Sequence, residues 1–128
     1  MIEEGKPLFV QIAEQIEDSI VDGSLPEESQ APSTNELAAF YRVNPATAAK
    51  GVNLLVDRRV LHKRRGVGMF VSPGARAALV AARREAFVLR FVEPMLGEAA
   101  RLGLSTDEVA DMVRSRAPEH DRSSERNA

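Results

Sequence analysis

Two closely spaced helix starts followed by a glycine-containing hairpin constrain the fold more than any other feature of this sequence. Ser33 and Glu36 have the spacing of a capping box, in which each side chain accepts a hydrogen bond from the other residue's backbone amide. Asn44 followed by Pro45 is typical of a second start, with asparagine as N-cap and proline as the first helical residue. Only residues 42–43 lie between the two predicted helices, which favours a helix-turn-helix.

The residues on either side complete this predicted domain. Apolar residues at four-residue steps from Leu8 to Ile20 predict an amphipathic first helix of about four turns. Strand-like segments over 60–63 and 69–72 flank a basic connection over 64–68 that contains two glycines, which predicts a β-hairpin. The predicted fold class is therefore mainly α with a small β-wing, a winged helix-turn-helix at the N-terminal end.

A second, helical region is predicted after Gly74, where the sequence becomes rich in alanine and arginine. Residues 75–91 have a broad apolar side, but Pro94 should interrupt the helix near 90–93 before it resumes over 95–102. Ser105 with Glu108 forms another capping box, which predicts one more short helix.

These elements predict three segments. Residues 1–74 are expected to form the winged helix-turn-helix domain, residues 75–116 a short helical dimerisation region, and residues 117–128 a polar, disordered tail. The apolar side chains of the second region are more often packed core or subunit interface than part of a ligand site. The candidate dimerisation residues are Leu79, Phe87, Phe91 and Met95.

The charge distribution indicates an anionic partner. The net charge is only −2, yet residues 41–66 carry seven basic side chains and one acid. Residues 1–40 carry nine acids and the single cation Lys6. Such a polarised layout can direct one face of the protein at phosphates.

Several classes of protein are disfavoured. Without cysteine there is no disulfide framework or thiolate zinc site, and His62 and His120 are poor material for a metal site. There is no phosphate-binding G-x-x-x-x-G-K-[ST], no nucleophile elbow and no H-E-x-x-H. No apolar run reaches the roughly 20 residues that span a bilayer, and the first residues are acidic. We therefore expect a cytoplasmic protein that is not an enzyme, needs no cofactor and does not contact a membrane.

The candidate DNA contacts lie on the second and third helices and the hairpin. An α-helix fits the major groove, and a basic wing can follow the backbone or enter the minor groove. Periodicity places Thr47, Lys50, Gly51 and Asn53 on the solvent side of the third helix. The candidate DNA-binding residues are Ser33, Asn35, Asn44, Thr47, Lys50, Asn53, Arg64, Arg65 and Gly66.

Several of these residues also have a purely structural interpretation. Ser33 and Asn44 can serve only as helix caps, although capping and phosphate contact can coexist. Lys50 can be an ordinary solvated lysine, and residues 64–66 an ordinary charged turn. Their joint position, directly within and after a helix-turn-helix, favours DNA binding.

The sequence resembles the GntR-type bacterial transcription regulators over roughly residues 5–72. The motifs that carry the resemblance are Pro7-Leu8-Phe9 with Gln11-Ile12, Ile20 to Gly23, Pro32-Ser33 with Glu36-Leu37-Ala38, Val43 to Thr47, and Arg65 to Val71. The short C-terminal segment is similar to that of the YtrA-type subfamily. The resemblance implies a DNA-binding dimer, usually a repressor of nearby transporter or stress genes, whose C-terminal helices pair the subunits.

The chain departs from the family pattern at expected contact positions. Many members have arginine where this chain has Asn35 and Ala49, and Ser-Arg where it has Asn44-Pro45. Thr47 and Arg64 keep the usual residue type, as do Gly66 and Gly68. The base preference of better-known members therefore does not transfer to this chain.

We predict a sequence-specific transcriptional regulator, a homodimer that binds a palindromic double-stranded operator and is released by an unidentified small-molecule effector. The alternative is a winged-helix protein-interaction module, in which the third helix contacts a partner protein. A sensor that binds an apolar effector in the cleft of the dimer is compatible with the regulator, because one protein can do both.

Overall fold

Three α-helices precede a two-stranded wing, and further helices follow it. The computed structural model describes residues 5–118, so residues 119–128 of the predicted tail lie outside the described residues. The elements are α1 (Leu8–Val21), α2 (Thr34–Tyr41), α3 (Pro45–Asp57), β1 (Leu61–Arg64), β2 (Gly68–Val71), α4 (Ala75–Phe87), a π-helical segment (Val88–Val92), α5 (Glu93–Arg101) and α6 (Thr106–Arg116). This order confirms the predicted winged helix-turn-helix. The described chain divides into two compact units, 5–83 and 84–118.

Both predicted capping boxes form. At the start of α2, the Glu36 amide donates to the Ser33 hydroxyl at 3.1 Å, and the Ser33 amide donates to the Glu36 carboxylate at 3.0 Å. The same reciprocal pair joins Ser105 and Glu108 at the start of α6. The two helices therefore begin where their sequences satisfy backbone donors that would otherwise lack partners.

The core of the first unit lies between α1 and α3, whose backbones approach closely at Gly51. A Cβ at this position would lie 2.8 Å from the Phe9 carbonyl oxygen and 3.2 Å from Cγ2 of Ile12. The prediction that Gly51 faces solvent is therefore wrong, because the residue is buried against α1. Neighbouring inward positions of α3 are buried as predicted, at Ala48, Val52 and Leu55.

The wing is held on one side by the segment that precedes α2. In the antiparallel hairpin, Leu61 pairs with Val71 and Arg64 with Gly68. Residues 28–31, which precede α2, extend this ladder, because they exchange backbone hydrogen bonds of 2.8 to 2.9 Å with β2. The hairpin is thus attached to the body of the unit along β2.

The helical region after the wing begins on the first unit. Within residues 5–83, the start of α4 is tied to the end of α1, because Arg76 donates to the Val21 carbonyl at 3.0 Å and Arg83 forms an ion pair with Asp18. Leu79 is half-buried against the core of this unit.

The interruption predicted near residues 90–93 takes the form of the π-helical segment over 88–92. Its widened turn is visible in the Glu93 amide, which donates to the carbonyl of Val88, five residues earlier. Pro94 follows within the first turn of α5 and has no amide to continue the regular helical pattern.

No helix among residues 5–118 combines the length and apolarity needed to cross a membrane.

Gly51→Ala should destabilise the first unit. Alanine normally stabilises a helix interior relative to glycine, but here its methyl group would overlap a backbone oxygen of α1. We expect the free energy of unfolding, measured in urea by circular dichroism, to fall by about 1 to 3 kcal/mol. Gly97→Ala in α5 is the control, since a Cβ there meets no atom within 4 Å. A Gly51→Ala protein as stable as the parent would contradict the close approach of α1 and α3.

Candidate nucleic-acid interface

The outer face of α3 carries polar side chains. Lys50 and Asn53 are exposed, whereas Thr47 is half-buried near the start of the helix. Asn44 is exposed, and its side-chain oxygen accepts a hydrogen bond of 3.0 Å from the Thr47 amide. Asn44 therefore caps α3, and Pro45 occupies the first helical position as predicted.

Ser33 and Asn35 lie together at the start of α2. Asn35 is exposed, and the Ser33 hydroxyl is used by the capping box, as an acceptor from the Glu36 amide. The backbone amide of Ser33, and then its hydroxyl, lower the pKa of the Glu36 carboxyl below its usual value. Glu36 therefore stays ionised beside the cap, and the exposed side chain of Asn35 remains available to another group.

The turn of the wing presents cations on a backbone that requires glycine. Arg64 ends β1, Arg65 and Gly66 are exposed, and the Val67 amide closes the turn on the Arg64 carbonyl at 3.0 Å. Gly66 has a φ of 77°, a left-handed conformation that glycine adopts without a steric penalty.

Gln30 supports this turn from outside the hairpin, a contact that no sequence pattern indicated. Its side-chain amide donates to the Val67 carbonyl at 2.9 Å. The same nitrogen would lie 2.7 Å from a Cβ at Gly68, so a side chain at that position would displace the support. Gln30 and Val67 are 37 positions apart along the chain, and no local spacing signals their contact.

The candidate cations are not neutralised by acids. Ion pairs within residues 5–118 use Lys6, Arg58, Arg83, Arg101 and Arg114, and leave out the cations of the outer α3 face and the wing turn. Those cations, Lys50, Arg64 and Arg65, are all exposed. Their charge is therefore available to an anionic ligand.

Two of these cations lie over aromatic rings. The Lys50 ammonium nitrogen is 4.3 Å from the centroid of the Phe9 ring, and the Arg64 guanidinium carbon is 4.0 Å from that of Phe70. Both separations are within the range of a cation–π interaction. Neither contact was predicted, because Phe9 is far from Lys50 in the sequence and Phe70 lies on the opposite strand of the hairpin from Arg64.

Among residues 5–118, no group of three histidine or acidic side chains is arranged to hold a metal ion.

The candidate dimerisation residues fall into two places. Phe87 and Phe91 have ring centroids 5.6 Å apart, and Met95, four residues further on, is exposed as they are. Leu79 belongs to the first unit, where it packs on the core. A dimerisation role for any of the four stays a prediction.

Comparison with known proteins identifies the family. The family described as "Bacterial regulatory proteins, gntR family" matches residues 8–71, which is half of the chain. The chain belongs to this family. The resemblance noted in the sequence is thereby confirmed, and the protein is a DNA-binding transcriptional regulator and not an enzyme.

Two relatives from Bacillus subtilis (strain 168) are similar to this gntR-family chain. The uncharacterised HTH-type transcriptional regulator YhcF is 26% identical over 110 residues, which are 86% of this chain and 89% of YhcF. The HTH-type transcriptional repressor YtrA is 30% identical over 74 residues, 58% of this chain and 57% of YtrA.

Two solved structures are similar in fold to this chain. A putative GntR-family regulator from Bacteroides thetaiotaomicron has a TM-score of 0.68 at 30% identity, covering 84% of this chain and 94% of that one. The DNA-binding domain of AraR in complex with operator ORR3 has a TM-score of 0.52 at 29% identity, covering 56% of this chain and 87% of that one.

Substitutions of Asn44 should separate its capping role from a DNA contact. Asn44→Ala removes the side-chain acceptor of the Thr47 amide, so we expect the free energy of unfolding to fall by about 1 kcal/mol. Asn44→Asp keeps a capping oxygen and adds a negative charge, so it should preserve stability but weaken DNA binding. Urea unfolding and fluorescence anisotropy on duplex DNA measure the two effects. Unchanged DNA affinity in Asn44→Asp would place Asn44 away from the phosphates.

Proposed function

We propose that this regulator is a cytoplasmic homodimeric repressor that recognises a palindromic operator with α3 and the wing. The observation that carries the proposal is the set of exposed cations on these two elements, none of them in an ion pair with an acid of residues 5–118. Such cations bind phosphates and release the counterions that surround DNA.

The elements of the helix-turn-helix have distinct roles in this proposal. The start of α3 enters the major groove, where Asn44, Thr47 and Asn53 approach base edges or phosphates. Ser33 and Asn35 at the start of α2 contact the backbone of the DNA. The AraR DNA-binding domain, a structural neighbour solved in complex with operator ORR3, supports operator binding by this fold.

Lys50 and the wing supply the electrostatic part of the contact. Lys50 reaches a phosphate or a guanine edge. Beside α3, the recognition helix, the wing residues Arg64 and Arg65 and the Gly66 amide follow the DNA backbone or the minor groove. The support of the wing turn by Gln30 fixes where these cations meet the DNA.

Dimerisation is assigned to the helical region over 75–116, and within it to the second compact unit. The large apolar side chains that this unit exposes are Phe87, Val88, Leu89, Phe91, Met95, Leu96, Leu102, Met112 and Val113. Large exposed apolar surfaces are typical of protein interfaces. Two-fold pairing then sets the two α3 helices about one DNA turn, ~34 Å, apart.

Repression and its relief follow from this geometry. A dimer bound across a promoter excludes the transcription machinery, and the similarity to the repressor YtrA supports this direction of regulation. An effector releases the operator if it binds preferentially to a dimer in which the two recognition helices have another spacing.

The first test is fluorescence anisotropy with the duplex upstream of the chain's own coding region, against a scrambled duplex, at two salt concentrations. We expect tight, sequence-dependent and salt-sensitive binding. Arg64→Ala should weaken it and reduce the logarithmic salt slope by about 0.9 for each phosphate that the variant no longer neutralises. Arg101→Ala is the matched control, because Arg101 is an exposed arginine of α5 outside the proposed DNA interface. Equal, weak binding to both duplexes would instead favour the protein-interaction module.

The dimer is tested by oligomeric state. Phe91→Glu should convert the protein to a monomer in sedimentation equilibrium and lower its affinity for a full palindrome towards that for a half-site. Phe40→Glu is the matched control, since Phe40 is a 77% exposed aromatic residue of α2, outside the second unit. A Phe91→Glu protein that remains dimeric would remove residue 91 from the interface.

A further inference from the structure

We propose that Phe9 is a positioning residue for DNA recognition, which holds the ammonium group of Lys50 in place before DNA binds. The inference rests on the proposed role of Lys50 as a DNA contact and adds a residue from α1 to the interface. Its basis is the seating of the Lys50 ammonium nitrogen 4.3 Å from the Phe9 ring centroid.

The ring is fixed in this place by the packing of the first unit. Phe9 lies in the first turn of α1, and its carbonyl oxygen is the atom nearest to the place that a Cβ of residue 51 would occupy. Gly51 follows Lys50 directly in α3, so the contact that joins the two backbones also brings the Phe9 ring next to the Lys50 side chain. Phe9 is half-buried, so the surrounding protein limits the movement of its ring.

The contact restrains Lys50 without neutralising it. A cation–π interaction attracts the ammonium group to the face of the ring but consumes no carboxylate partner. No ion pair within residues 5–118 includes Lys50, so its charge and its hydrogen-bond donors stay available to phosphate or guanine. Since a free lysine loses much rotamer freedom when it is immobilised, a restrained one binds at a lower entropic cost.

The wing has the same arrangement. The Arg64 guanidinium lies 4.0 Å from the centroid of Phe70, whose ring is largely buried in the first unit. Both the recognition helix and the wing thus present a cation that rests on an aromatic residue fixed by the fold. Phe9 is the better residue to test, because Phe70 belongs to the buried part of β2 and its replacement would disturb the hairpin itself.

The test is a double-mutant cycle of Phe9→Leu and Lys50→Met on operator affinity, measured by anisotropy with a duplex selected by the full-length protein. Leucine keeps an apolar side chain at position 9 but has no aromatic face, and methionine keeps the unbranched stem of Lys50 without its charge. We expect Phe9→Leu to weaken binding about three-fold per half-site when Lys50 is present. In the Lys50→Met background, Phe9→Leu should have no further effect.

A conservative variant and a stability measurement separate positioning from folding. Phe9→Tyr retains the ring and should bind the operator as tightly as the parent does. Urea unfolding of the same variants measures their stability and shows whether a loss of affinity is explained by a loss of stability. Equal decreases from Phe9→Leu in both backgrounds would show that Phe9 does not act through Lys50, and no decrease in either would show that the ring is dispensable. Both results overturn the inference.

Failure of the proposed function gives a different result. If the parent protein prefers no duplex over scrambled DNA, the operator-binding proposal fails and the role of Phe9 fails with it. If the parent selects an operator and Arg64→Ala weakens its binding, but the cycle shows no coupling, only the inference about Phe9 is wrong.

Discussion

The close approach of α1 to α3 at Gly51 is the constraint on which the rest of the DNA-binding unit depends. The Phe9 carbonyl oxygen occupies space that any side chain at position 51 would need. This contact packs α3 against α1, so the inner residues of α3 are buried and its outer face is exposed. Under the proposed function, substitutions on that outer face can therefore change base preference without displacing the helix from the core.

The acidic first helix contributes to the distribution of charge. Glu17 is buried in α1, and burial raises the pKa of its carboxyl even though Arg58 and Arg83 oppose the shift. Arg58 lies 3.8 Å from Glu17, and Arg83 is paired with Asp18. These two arginines are thus engaged on the α1 side of the unit. A chain with a net charge of −2 can consequently retain uncompensated cations where DNA is proposed to bind.

The sequence was most informative where a side chain forms a hydrogen bond with the backbone of a residue close by in the sequence. The caps of α2, α3 and α6 were predicted because their signals lie within three residues, and the wing because glycines interrupt a strand pattern. Burial of Gly51, the support of the wing by Gln30 and the packing of Leu79 on the first unit depend on contacts distant in sequence. A periodic pattern predicts which face of a helix is apolar, but it does not give the distance to the helix that packs against it. The region around Pro94 was predicted only in part. The proline correctly predicted an interruption of the helix, but not that the interruption takes the form of a widened turn over 88–92.

The exposed apolar side chains of residues 84–118 have a consequence for the amount of regulator a cell needs. A unit that covers its apolar surface only by pairing is stabilised by its own concentration through mass action. Under the proposed dimerisation, scarce protein would be mostly monomeric and would engage only half an operator at a time. The number of copies per cell would then set the threshold at which repression begins, before any effector is present.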